Sequence, residues 1–224
     1  DGSIYFTSLG LWKTDGTARG TTIVLDLWPG PISSLRGNQL DHLTVVGDTL
    51  FFTPTAPRYA HNLWKSDGTK TGTVPVVENF YSDALIAVDD QLLLTGRDSF
   101  RGLELWRSNG TAAGTQRVKD INPGEDTSYP FYLCDADGIL YFSANDGVHG
   151  KEIWRSDGTD TGTWMVEDLR PGPAGSGPNL LTAVQGIMFF FADDGFHGQE
   201  LWAIHTETDP GPASATPGLW QLLR

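Results

Sequence analysis

Apolar residues in this chain gather in short runs, each cut off by Gly, Asp, Asn or Pro before a helix could form. In one stretch the runs Phe131–Asp135, Ile139–Ala144, Glu152–Ser156 and Thr163–Asp168 follow one another at hairpin distances. They are rich in aromatic and β-branched residues, which suit a pleated, half-buried surface. No segment sustains an apolar period of 3.6 residues, so the pattern predicts strands and almost no helix. The longest apolar run, Gly186–Ala192, is far short of the roughly 20 residues that a membrane-spanning helix requires.

The pattern repeats. Leu11-Trp12, Leu63-Trp64, Leu105-Trp106 and Ile153-Trp154 each lead into a turn: Asp15-Gly16-Thr17, Asp67-Gly68-Thr69, Asn109-Gly110-Thr111 and Asp157-Gly158-Thr159. A second Gly-Thr follows each turn, at Gly20, Gly72, Gly114 and Gly162. A fifth copy, Leu201-Trp202, keeps the aromatic and loses the turn. Asp-Gly between strands is a strong hairpin signal, because Gly accepts positive φ and the Asp side chain bonds the turn backbone. Asn109-Gly110-Thr111 also fits a glycosylation sequon, but it is the same turn with Asp changed to Asn. Four strands per unit of 40–50 residues is the signature of a propeller blade. The expectation is an all-β, five-bladed propeller of four-stranded antiparallel blades. It forms a single domain over 1–224, with units at about 1–46, 47–89, 90–136, 137–185 and 186–224. The Trp of each unit sits on its third strand, sized to fill the wedge between blades.

Glu104-Leu-Trp-Arg-Ser-Asn-Gly-Thr, Glu152-Ile-Trp-Arg-Ser-Asp-Gly-Thr and Glu200-Leu-Trp resemble the bacterial ELWxxDGT-repeat proteins. Asp146-Gly-Val-His-Gly-Lys-Glu, Asp194-Gly-Phe-His-Gly-Gln-Glu, Asn122-Pro-Gly and Arg170-Pro-Gly extend the likeness over nearly the whole chain. The resemblance implies a propeller, and an extracellular, cell-surface or periplasmic setting. It implies no particular reaction. The first two units depart from it, lacking the His-Gly-x-Glu element.

Charge narrows the partners. With 15 Lys+Arg against 28 Asp+Glu the net charge is −13, which disfavours nucleic acid, whose backbone requires Lys/Arg clusters. Anionic membrane surfaces are disfavoured for the same reason. The single cysteine, Cys134, excludes an intrachain disulfide and a Cys-rich zinc site, and reads as a small core residue. Phosphate-binding, dinucleotide-binding, zinc-protease and nucleophile-elbow motifs are all missing, and no cofactor is expected.

The best-marked polar element is the Asp-Gly-x-His-Gly-x-Glu hairpin at Asp146/His149/Glu152 and Asp194/His197/Glu200, degraded at Asp98/Arg101/Glu104. A carboxylate–His cluster could take Ca²⁺. Arg101 in place of His favours pairing instead, since Arg pairs with carboxylates but does not ligate metals. No metal is therefore expected, and Glu104, Glu152 and Glu200 are read as structural partners of the His or Arg. The loops joining second to third strands and one blade to the next vary, and they emerge on one face, where function belongs. Candidate ligand contacts there are Trp28, Tyr59, Tyr81, Arg101, His149, Phe196 and His197.

These features suggest a non-enzymatic binding or scaffolding propeller that presents its variable loops to a protein or a glycan. The alternatives are a structural accessory subunit, or a hydrolase or lyase using the His and carboxylates of that face. Asp1–Phe6 aligns with a second strand, so the first blade lacks its innermost strand. Leu219–Leu223, which follows a Pro/Gly-rich segment like the one before Leu180, is expected to fill that place and close the ring. The fifth blade would then lack most of its outer strand, leaving an edge open to a partner.

Overall fold

The Asp-Gly-Thr unit folds as a self-contained hydrogen-bonded corner, and four copies of it set the spacing of the sheets in the computed structural model. Asp67 Oδ1 accepts from the Thr69 amide and hydroxyl, at 2.8 and 2.7 Å, and Thr69 Oγ1 accepts from the Gly72 amide at 3.0 Å. Thr73 Oγ1 donates to the Thr69 carbonyl, and the Ser66 and Thr73 hydroxyls meet at 2.7 Å. The same bonds recur around Asp15, Asn109 and Asp157. Gly68 has φ of +83°, and a Cβ at Gly72 would collide with the Asp67 carboxylate, so each Gly is required for its own reason.

The structure describes residues 2–8, 10–26, 40–54, 62–98, 102–206 and 221–222. Their strands pair into five antiparallel sheets. Sheet 1 holds β1 (Ile4–Thr7), β2 (Gly10–Thr14) and β3 (Thr22–Asp26). Sheet 2 holds β4 (Leu40–Val46), β5 (Thr49–Pro54), β6 (Trp64–Ser66) and β7 (Val74–Pro75). Sheet 3 holds β8 (Tyr81–Val88), β9 (Gln91–Arg97), β10 (Glu104–Ser108) and β11 (Gln116–Arg117). Sheet 4 holds β12 (Phe131–Ala136), β13 (Ile139–Asn145), β14 (Lys151–Ser156) and β15 (Trp164–Glu167). Sheet 5 holds β16 (Asn179–Val184), β17 (Ile187–Asp193), β18 (Gln199–His205) and β19 (Gln221–Leu222). The chain is thus all-β and propeller-like, with strands running in sequence order across each sheet.

Neighbouring sheets pack face to face through separate apolar clusters. Leu11 and Val24 of sheet 1 meet Leu50, Phe52 and Trp64 of sheet 2. Phe51 and Leu63 meet Leu92, Leu94 and Trp106; Leu93 and Leu105 meet Leu140, Phe142 and Trp154; Tyr141 and Ile153 meet Met188, Phe190 and Ile204. The innermost strands β4, β8, β12 and β16 lie side by side in that order. Each carries a bulge near its start, between Asp41 and Thr44, Ser82 and Leu85, Phe131 and Cys134, and Asn179 and Thr182.

Cations tie sheet 2 to sheet 3 and sheet 3 to sheet 4. Lys65 Nζ donates to the Gly110 carbonyl at 2.7 Å, and Arg107 to the Gly158 carbonyl at 3.3 Å. Arg155 has no such turn ahead of it in the sequence and lies over the Trp164 ring at 4.3 Å.

The expected closing strand is corrected. Gln221 and Leu222 pair with Ala203 and Trp202, so the C-terminal segment is the outer strand of sheet 5 and not the inner strand of sheet 1. Among the described residues the fifth sheet therefore has its fourth strand, and sheet 1 has three. A resemblance carried by Pro and Gly described the connecting loop, whereas the pairing partner is set by the nearest open edge, that of β18.

Trp154 is 6% exposed between sheets 3 and 4. Trp154→Ala is expected to lower the unfolding free energy by about 3–5 kcal/mol as a large core cavity. Trp12→Ala, on an uncovered face, should cost under about 2 kcal/mol in dilute protein. Equal losses in denaturant titrations would show that the Trp residues are not inter-sheet wedges.

Candidate functional site

The hairpins before β14 and β18 position the His side chains through an Asp three residues upstream. Asp146 Oδ1 accepts from the Val148 and His149 amides at 2.9 and 2.8 Å, and its Oδ2 meets His149 Nδ1 at 2.6 Å. Asp194 repeats this with the Phe196 and His197 amides, both at 2.9 Å, and with His197 Nδ1 at 2.8 Å. Gly147 and Gly150 at φ of +82° and +74° let the hairpin turn tightly enough for the Asp to reach both. The bond to Asp146 raises the His149 pKa above its ordinary value. Asp146 is itself lowered, burial being outweighed by the His149 amide and ring bonds. The His197 ring bond and two amides hold Asp194 down to about 2. The Asp194 contribution to stability is therefore present above pH 3.8 and is lost as pH falls through about 2.

The Glu residues bond elsewhere than expected. Glu152 Oε2 accepts from the Ser176 hydroxyl at 2.5 Å and the Leu169 amide at 3.2 Å, and Oε1 accepts from the Ser176 amide at 2.7 Å. Glu104 does the same with Ser128, Ile121 and Asn122. The pairing of Glu with His is thus corrected at Glu152: the Asp within the hairpin takes the His, Glu152 and Glu104 anchor the connections to the next sheets, and the expected Glu104 partner Arg101 lies outside the described residues. Ser176 and Ser128 in turn bond the ends of the neighbouring second strands, through the amides of Asp193 and Asn145. Burial pushes both Glu carboxyls up against the opposing Ser and amide bonds. Glu200 is partly buried, and its Oε2 has no hydrogen-bond partner among the described residues.

The remaining candidates scatter. Phe196 is 88% exposed at the tip of its hairpin. Tyr81 is half-buried at the start of β8, with the Arg97 guanidinium over its ring at 5.2 Å. Trp28, Tyr59 and Arg101 lie outside the described residues. Cys134 is half-buried on β12, and burial raises its thiol pKa. A feature the sequence reading missed lies two residues along the chain from His149: Lys151 Nζ lies 5.7 and 5.9 Å from the rings of Tyr129 and Phe131, which stack at 6.1 Å. Tyr129 is exposed with φ of +51°, a conformation uncommon for a bulky residue. Sheet 4 and the loop before it thus carry an ammonium group over an aromatic pair. Among the described residues no group of three or more His, Cys, Asp or Glu is arranged to hold a metal ion.

No family model matches the chain, and no curated protein does. Solved structures do match. A puromycin hydrolase shares 12% identity over 89% of this chain, with a TM-score of 0.56. A serine-to-alanine mutant of puromycin hydrolase, complexed with PGG, shares 11% over 99% with a TM-score of 0.58. A gluconolactonase from Xanthomonas campestris matches 87% of the chain at 13% identity and a TM-score of 0.41. This chain spans about a third of the length of the puromycin hydrolase chains, 32% and 35%. At these identities the likeness is one of fold. The expectation of a non-enzymatic binding module is corrected to this extent: the two matched structures with a TM-score above 0.5 are both of an enzyme, puromycin hydrolase.

Glu152→Ala leaves two amides and a hydroxyl without their acceptor, and is expected to cost on the order of 3 kcal/mol. Because the folded carboxyl titrates above 4.5, its contribution is full below that pH and fades as pH rises through the raised value. The penalty measured by chemical denaturation should therefore be larger at acid than at neutral pH. A penalty that grows toward neutral pH would show that the carboxylate, and not the acid, is the favoured form.

Proposed function

We propose that this chain supplies propeller blades of an exported bacterial hydrolase of the ELWxxDGT-repeat kind, its five sheets being five successive blades. The Asp146–His149 dyad carries its general-base chemistry. One observation carries the reading: Asp146 occupies His149 Nδ1 at 2.6 Å, while the imidazole stays 38% exposed. An imidazole held this way presents Nε2 outward as the proton acceptor, oriented by a carboxylate that also stabilises the charged form. Nε2 takes a proton from water as the water oxygen attacks an acyl carbon. It then returns the proton to the departing amine or alcohol as the acyl bond breaks. Lys151, two residues on, supplies positive charge for the developing oxyanion. The hydrolase fold of the solved neighbours supports acyl transfer to water, and the net charge of −13 favours substrates bearing a protonated amine.

Turnover of a panel of amides, esters and lactones tests this reading. His149→Ala is expected to lower kcat/KM by about 10²–10⁴. A base works when neutral, so with the His149 pKa raised, the acid limb of the wild-type profile should lie above pH 6.5. Asp146→Asn should move that limb to lower pH. An unchanged rate in His149→Ala, or no turnover of any panel member, would defeat the proposal.

A further inference from the structure

Each sheet presents the same set of positions to the sheet before it. These are Leu50, Phe52 and Trp64 in sheet 2, Leu92, Leu94 and Trp106 in sheet 3, Leu140, Phe142 and Trp154 in sheet 4, and Met188, Phe190 and Trp202 in sheet 5. By the same register, Phe6 opposite Trp12 and Ile4 opposite Thr14 are the corresponding residues of sheet 1. Leu140 and Phe142 are fully buried, yet Ile4 is 63% exposed, Phe6 38% and Ile23, opposite Trp12, 44%. The Gly68, Gly110 and Gly158 turns are each closed over by side chains of the preceding sheet, whereas no described residue lies within 4 Å of a Cβ built on Gly16. Among the described residues sheet 1 also lacks the inner strand that its four counterparts have. Among those residues it is therefore a blade interface with one side uncovered.

Among the described residues the complementary side is uncovered on sheet 5. The positions that face the following sheet are Leu63 and Phe51, Leu105 and Leu93, and Ile153 and Tyr141, all at most 3% exposed. In sheet 5 they are Leu201 and Phe189, both partly exposed. Beside them Phe191, 37% exposed, takes the register position where the inner sheets carry the buried Thr53, Thr95 and Ser143. None of the apolar clusters among the described residues joins sheet 5 to sheet 1.

We propose that sheet 1 of one molecule packs on sheet 5 of a second copy, forming head to tail the contact that the chain makes four times within itself. The occupant follows from that repetition: what covers this face elsewhere is the far face of a like sheet, and sheet 5 carries the unused one. Such an interface is heterologous, each copy giving a different surface. It is independent of the hydrolytic reading.

Sedimentation velocity over a dilution series tests the proposal. The wild-type protein is expected to shift to larger species with concentration. Phe6→Asp spoils only the sheet 1 face and Phe191→Asp only the sheet 5 face, so each should be monomeric alone. Mixed in equal amounts they should form a dimer and nothing larger, since one intact face of each kind remains. That mixture also controls for folding, because a misfolded variant could not contribute its intact face. A monomeric wild type at every concentration, whether closed on itself or covered by a foreign repeat, would overturn the proposal. Self-association of either variant would overturn it too, as would a mixture that stays monomeric.

Discussion

A sheet that is apolar on both faces can exist in water only between two others. Sheet 4 shows the constraint most fully: Leu140, Phe142 and Trp154 point one way, Tyr141 and Ile153 the other, and all five are buried. Alternation along a strand ordinarily separates an apolar face from a wet one. Here it sorts two apolar sets onto opposite sides, so stability accrues between sheets rather than within them. The turns, the cations and the Glu anchors all serve to hold successive sheets at the separation this packing demands.

The repeat was legible because turn chemistry allows few residues. Only Gly tolerates the left-handed corner at Gly158, and only an acceptor such as Asp157 satisfies the Thr159 amide and hydroxyl together. Both therefore recur visibly in the sequence. The strand bounds of sheet 4 matched the apolar runs to within a residue or two for the same reason. What misled was resemblance without pairing chemistry. The Pro/Gly-rich stretch before Leu219 describes a connection, and a connection does not say which edge its strand will join.

The polar hairpins were half legible. Their residues stood out, but the partners did not. Asp146 reaches His149 within its own turn, a three-residue span that the spacing contains. Glu152 is reached from 17 and 24 residues away by the Leu169 and Ser176 amides and the Ser176 hydroxyl, and the two backbone donors carry no sequence signature. A recurring Ser at the same distance, Ser128 after Glu104, was the one available clue. The Tyr129–Phe131–Lys151 grouping was hidden because its members come from two strands and a loop, joined only by folding.

The cross-sheet cations give the stack a direction. Lys65 belongs to one unit and the carbonyl it binds, that of Gly110, belongs to the next. No unit therefore contains its own lock, and a duplicated unit becomes fastened only when a successor arrives with its turn intact. The fifth unit has lost that turn and carries Ala203 where the others carry Lys or Arg, so it neither receives a latch nor offers one. Recombination within such a gene would preserve the internal units as interchangeable cassettes. Drift would be tolerated first in the fifth unit, whose turn and cation are both gone.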